Sequence, residues 1–238
     1  MTGTPFQTGP TTNRRSGVAP VTRCTLVLLA AAIGLFVVAA SLGFILIGRR
    51  GGGPIQGWDD AVWRWAIHHR GPFVGAAKVV AAVGDAPVLG AICGAATIAL
   101  LVRLRSLLAL VPLVAYLGAE FQVFAVRQVI HRHRPPTAVF PARDAVRGVH
   151  ETTYSFPSGH AVAVTAVLFA ALGMLGLARR RAWPWFLAFV ASLCVAASRI
   201  LLGVHWLSDV AVGLLIGIVW GTTVALAAQR VPRRQLPG

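Results

Sequence analysis

The sequence predicts an all-α, polytopic membrane protein with six transmembrane helices plus a short interfacial helix. Three observations support this fold class. First, 56% of the 238 residues are hydrophobic and mean hydropathy is +0.72. Second, only 12% of residues are charged, against roughly 25% in a soluble domain. Third, apolar runs recur along the chain, each near the ~20 residues that cross a bilayer, and short turns rich in Arg, Gly and Pro separate them.

In chain order, residues 1–22 are rich in Thr, Gly, Pro and Arg and read as a disordered cytoplasmic tail. The membrane domain is expected over 23–229, and a basic cytoplasmic tail over 230–238. Residues 24–47 form the first span, too long for a signal-peptide core and therefore read as an uncleaved anchor. Residues 58–70 carry Trp58, Val62, Trp65 and Ile67 at roughly helical spacing, as in a helix lying at headgroup level. An apolar helix over 73–83 follows and ends at Gly84. Asp85 is placed to cap the next helix, with Pro87 in its first turn.

The second span is then 86–102 and the third 107–130, with Glu120 inside it as an interior acid or a proton relay. Residues 131–157 form a polar loop that includes Arg132, Arg143, Asp144, Arg147, His150 and Glu151. The remaining spans are 158–177, 183–202 and 206–228. Cys24, Cys93 and Cys194 have no metal-ligand spacing and read as packing residues.

The net charge is +15 and the sequence pI about 11.8. Arginines that punctuate membrane turns argue against nucleic-acid binding and for anionic lipid or phosphate substrates. The short basic turns at Arg103–Arg105 and Arg179–Arg181 carry the positive-inside signature. They place both termini in the cytoplasm and the polar junctions at the outer face of the plasma (inner) membrane.

Three polar clusters fall on that one side. Arg127 and Arg134 are seven residues apart, about two helical turns, and Pro135 stops the helix. Pro157-Ser158-Gly159-His160 opens a span, where free backbone N–H groups and the positive end of a helix dipole suit a phosphate. Ser198-Arg199 and then His205 and Asp209 close the set. His205 and Asp209 share one helical face, so the carboxylate can take one imidazole proton and leave the other nitrogen as nucleophile or base. Gly203 lets the chain bend between Arg199 and His205, and arginine is shaped to hold phosphate oxygens. No metal or cofactor is demanded. His68, His69, His131 and His133 read as interfacial or loop histidines.

In this order and combination the clusters resemble the three signature motifs of the type 2 phosphatidic acid phosphatase superfamily, over roughly residues 58–228. The family's first motif usually begins with lysine, and here Arg127 keeps the charge with a forked donor. The resemblance implies His205 as nucleophile, Asp209 as its orienter and His160 as acid to the leaving group. It implies Arg127, Arg134, Ser158, Gly159 and Arg199 as phosphate ligands. The expected activity is metal-independent hydrolysis of a lipid phosphate or diphosphate within the bilayer, through a phosphohistidine. A polyprenyl (undecaprenyl-type) diphosphate is preferred, with phosphatidylglycerophosphate or phosphatidic acid as the alternative. A transporter or inactive lipid-binding protein is the rival of another class.

Overall fold

The computed structural model describes residues 18–136, 153–175 and 181–230, with only the backbone considered at 18–21. Eight α-helices make up these segments: α1 (Val18–Leu42), α2 (Gln56–His69), α3 (Val74–Val83), α4 (Ala86–Leu104), α5 (Val111–Arg127), α6 (Gly159–Leu175), α7 (Trp183–Leu201) and α8 (Leu207–Gln229). Arg143, Asp144, Arg147, His150 and Glu151, the Arg179–Arg180 pair and most of both expected tails lie outside the described residues.

The helix bounds follow local chemistry. Pro20 falls in the first turn of α1, where a missing N–H removes no hydrogen bond. The helix therefore takes in residues 18–22, which were expected in the tail. The α1 helix ends in a π-helical turn, Gly43–Ile47. Pro87 opens α4, Pro112 opens α5 and Pro184 opens α7 in the same first-turn role. Arg105 closes α4 in the left-handed conformation, its N–H bonded to the Leu101 carbonyl.

Among the described residues, five helical segments are long and apolar enough to cross a membrane: Thr22–Ile47, Ala86–Leu104, Leu107–Arg127, Trp183–Leu201 and Leu207–Gln229. The chain is thus a multi-pass membrane protein by helix length and composition. The described part of the expected fourth span, α6, has 17 residues, a rise of about 25 Å at ~1.5 Å per residue; residues 176–177 lie outside the described residues. The outer faces carry large apolar side chains such as Ile33, Val102, Phe121, Phe124 and Phe186, as a lipid-facing surface requires.

The bundle is organised around α8, whose span is 61% buried against 17% for those of α1 and α4. Helices α6 and α8 touch along a stripe of small residues, Gly213, Gly217 and Gly221. A Cβ at Gly217 would lie 2.6 Å from the Thr165 Cβ and 2.7 Å from the Val162 carbonyl oxygen. One at Gly213 would lie 3.1 Å from the Ser158 carbonyl oxygen. Such close approach is how membrane helices gain packing without a hydrophobic drive between them. It sets the N-terminus of α6 beside that of α8.

Candidate active site

The site is built where the ends of α5 and α7 meet the N-termini of α6 and α8. After α7 the backbone turns sharply through Gly203, at φ +74°, a conformation that glycine adopts without steric cost. The turn is closed by Gly203 N–H to the Ile200 carbonyl (2.9 Å) and Val204 N–H to the Arg199 carbonyl (3.2 Å). Arg199 is buried at the end of α7. His205 follows and is buried, with Asp209 one turn into α8.

His205 bridges two charged partners. Its Nδ1 lies 3.3 Å from Asp209 Oδ2, and its Nε2 lies 3.1 Å from an Arg134 terminal nitrogen. A guanidinium only donates, so Nε2 is the acceptor and the imidazole proton is on Nδ1, donated to Asp209. The tautomer is thereby fixed, and the Nε2 lone pair faces the arginine. Arg134 also donates to the Val204 carbonyl (2.9 Å) and, through Nε, to the Thr153 carbonyl (2.9 Å).

The other predicted residues surround this point. Arg127 donates to the Pro157 carbonyl at 3.1 Å and the Thr153 hydroxyl at 3.2 Å, tying the end of α5 to the segment that opens α6. Ser158 N–H donates to the Asp209 carbonyl at 3.1 Å, which joins the two helix N-termini directly. The Ser158 hydroxyl is buried and has no hydrogen-bond partner among the described residues. A Cβ on Gly159 would come 3.9 Å from an Arg127 nitrogen. His160 Nε2 lies 3.0 Å from Asp85 Oδ1, at the turn between α3 and α4.

Two residues that the sequence placed elsewhere prove central. Asp85 stands at the N-cap position of α4 but makes no side-chain cap hydrogen bond; its carboxylate turns to His160 instead. Arg132, expected in a polar loop, is buried. It donates to Asp209 Oδ1 at 2.7 Å, to the Ser208 hydroxyl at 2.7 Å, to Gln56 at 3.0 Å and to Asp59 Oδ2. Asp59 also accepts the Ser208 N–H (2.9 Å) and hydroxyl (2.6 Å). Asp209 takes the Trp206 N–H at 3.0 Å. The Trp206 ring centroid is 6.3 Å from that of Trp63, and the Arg132 guanidinium lies over the Trp206 ring at 5.2 Å.

Helix α2 therefore faces inward with Gln56 and Asp59. Trp58 and Trp65, the residues that suggested an interfacial helix, point outward and are exposed. Glu120 sits on α5, about two turns from Arg127. His131 stacks on Tyr154, ring centroids 4.6 Å apart, and its Nε2 is 3.0 Å from the Gln128 carbonyl. Among the described residues no group of three or more His, Cys, Asp or Glu has metal-site geometry. Cys24 and Cys93 are buried, and Cys194 is exposed on the outside of α7, contrary to a packing role.

The arrangement can hold an anion among two arginines and a helix N-terminus, beside an imidazole oriented by Asp209 and hydrogen-bonded to Arg134. Residues 108–233 match the PAP2 superfamily, and the chain belongs to that family. It is 39% identical over 66 residues to an undecaprenyl-diphosphatase of Sulfolobus acidocaldarius, covering 28% of this chain and 30% of the relative. It is 38% identical over 99 residues to a decaprenylphosphoryl-5-phosphoribose phosphatase of Mycobacterium tuberculosis, covering 42% of this chain and 49% of the relative. The matched stretches thus span from about a third to half of these relatives' lengths. The fold is similar to the crystal structure of a transmembrane PAP2-type phosphatidylglycerolphosphate phosphatase from Bacillus subtilis. That similarity has TM-score 0.65 and 20% identity, over 92% of this chain and all of the other.

Proposed function

We propose that this protein is a lipid phosphatase that hydrolyses a phosphate monoester or diphosphate on a membrane lipid through a phosphohistidine on His205. The observation that carries the reading is the placement of His205, with Nδ1 held by Asp209 and Nε2 turned to Arg134. A nucleophile needs an oriented base with a lone pair aimed where the phosphorus sits. A substrate phosphate that enters takes Arg134 from Nε2 as its own ligand and exposes the lone pair for in-line attack.

In the first step a bond forms between Nε2 and phosphorus and the ester or anhydride oxygen departs. Arg127, Arg134, Arg199, the Ser158 hydroxyl and the Gly159 backbone hold the equatorial oxygens, where charge must be stabilised. His160 gives the leaving oxygen a proton. In the second step His160 takes a proton from water, which attacks phosphorus and frees His205. The phosphate charge is met by arginines and a helix end. Asp59 and Asp209 are engaged by Arg132, so this scheme needs no metal.

For substrate, a polyprenyl diphosphate is preferred, supported by two relatives whose names specify polyprenyl-linked substrates. Phosphatidylglycerophosphate or phosphatidic acid is the second reading, and relatives named phosphatidylglycerophosphatase B support the first of these. The lipid chain lies between helices while the phosphate enters from the interface. In this reading α1, α4, α5, α6, α7 and α8 are the six crossings of a membrane domain at 23–229. The termini are cytoplasmic and the site opens at the outer face of the plasma membrane.

The test is phosphate release by detergent-purified protein in excess chelator, from each of these lipids, beside His205→Ala. The expected result is chelator-resistant release that falls by at least about a thousandfold in the variant. Release that survives His205→Ala overturns the nucleophile. No release from any lipid by folded protein supports a transporter or inactive binder instead.

A further inference from the structure

The nucleophile is not the only imidazole with a carboxylate. His160 Nε2 meets Asp85 Oδ1 at 3.0 Å, and the two residues lie 75 positions apart in sequence. The carboxylate is brought there by the turn between α3 and α4. In that turn Gly84 N–H bonds to the Ala81 carbonyl at 2.9 Å and Asp85 N–H to the Ala82 carbonyl at 3.3 Å. Gly84 itself lies against the imidazole, since a Cβ there would stand 2.8 Å from His160 Cδ2 and 3.3 Å from Cγ. The turn thus presents a carboxylate to one ring nitrogen and a bare backbone to the ring. An N-cap carboxylate ordinarily accepts a helix N–H, and this one does not.

We propose that Asp85 is the positioning residue for His160 in the lipid-phosphatase reaction, an inference that rests on the reading given above. The Asp85 carboxylate accepts the Nε2 proton, holds the ring against Gly84 and favours the imidazolium that serves as acid. In the phosphoryl-transfer step the P–O bond of the leaving group breaks as the Nε2–P bond of His205 forms. The proton moves from His160 to the departing oxygen, and Asp85 keeps its charge throughout. Asp85 is 48% exposed and His160 13% exposed, so the pair is open to water, from which the acid is reprotonated in each cycle.

Among the described residues, the other charged groups on elements packed against α6 are Glu120 and Arg127 of α5, Arg199 of α7, Asp209 of α8 and Arg103 at the far end of α4. Of these, Asp209 is bound to Arg132, and Arg127 and Arg199 are cationic and oppose an imidazolium. Among the described residues Asp85 brings a carboxylate into contact with the ring, and an opposite charge at hydrogen-bond distance favours the charged form.

The test compares two phosphate esters in detergent, a lipid phosphate with an alkoxide leaving group and an aryl phosphate whose phenolate departs without a proton. The quantity is kcat/KM across pH for wild type, Asp85→Asn, Asp85→Glu and His160→Asn. With the lipid ester, Asp85→Asn is expected to lose at least about tenfold and to move the alkaline limb to lower pH. The loss with the aryl ester is expected to be much smaller, and Asp85→Glu to recover part of the lipid activity. Equal losses on both esters with unmoved limbs would mean a purely structural role and overturn the proposal, as would an unchanged Asp85→Asn. His160→Asn separates the two levels of inference. If that variant also fails to discriminate between the esters, the assignment of His160 as acid is at fault, whatever Asp85 does.

Discussion

Among its described residues the bundle holds two histidine–aspartate pairs, and they are built in opposite ways. His205 and Asp209 are 1% and 0% exposed, four residues apart on one turn of chain, and joined by the buried Arg132 to Asp59, Ser208 and Gln56. His160 and Asp85 come from distant parts of the sequence, and half of the aspartate is open to water. The difference matches the two tasks proposed for them. A nucleophile needs a fixed tautomer and direction, which a dry, over-determined network supplies. An acid must be reloaded with protons at every turnover, which needs a route to solvent. Asp209 illustrates the first case: both its oxygens are taken by Trp206 N–H, His205 and Arg132.

The largest expected effects break the buried pair. Beyond His205→Ala, Asp209→Asn removes the acceptor that keeps the proton on Nδ1. It should lower kcat by about 10³–10⁴-fold with the helical content kept, as loss of an orienting carboxylate does in other imidazole systems. Steady-state kinetics with circular dichroism checks this. Arg132→Met comes next, because it strands Asp59 and Asp209 as buried carboxylates without their cation. Breaking a buried pair from one side costs about 3–5 kcal/mol, so thermal unfolding in detergent should show a strong loss of stability. Adding Asp59→Asn should recover part of it, and if it does not, the network is not held together by charge.

A smaller effect tests what sets the two pairs side by side. Gly217→Val places branched carbons against Thr165 and the Val162 carbonyl, at an overpacking cost of about 1–3 kcal/mol. Helices α6 and α8 must separate, so stability and activity should fall together, whereas Asp209→Asn should lower activity far more than stability. The smallest effect distinguishes the pairs by solvent. Salt screens exposed charges over a Debye length of ~10 Å at 0.1 M. The kcat/KM difference between wild type and Asp85→Asn should therefore narrow at high salt, and that between wild type and Asp209→Asn should not. Measuring both at low and high ionic strength checks this. The overall pH profile of wild type should be bell-shaped, because the scheme needs neutral His205 and protonated His160 together. A profile flat from about pH 4 to about pH 9, around a free imidazole value near ~6.5, would count against two working histidines.

Much of this was legible in the sequence. Apolar run length gave the long helices to within a few residues, and spacing put His205 and Asp209 on one face. Pro87 marked the start of α4. The Gly213-x3-Gly217-x3-Gly221 stripe has the spacing of a close-packing face. Arg132 was hidden because it lies past the end of a helix, where a charged residue reads as loop. Asp59 was hidden because its helix was assigned by its tryptophans, which face outward. Asp85 satisfied a local rule, the N-cap, and that masked a partner 75 residues away. One signal could have found both acids. The chain has seven acidic residues among 238, and in so basic a membrane protein each invites a search for a cation or an imidazole.

The most direct test of the central claim is to quench the enzyme during turnover of a labelled lipid phosphate and map the protein-bound phosphoryl group by mass spectrometry under alkaline conditions. The account predicts the label on His205 in wild type and its absence in His205→Ala. Turnover with no phosphohistidine, or with the label on another residue, would contradict it.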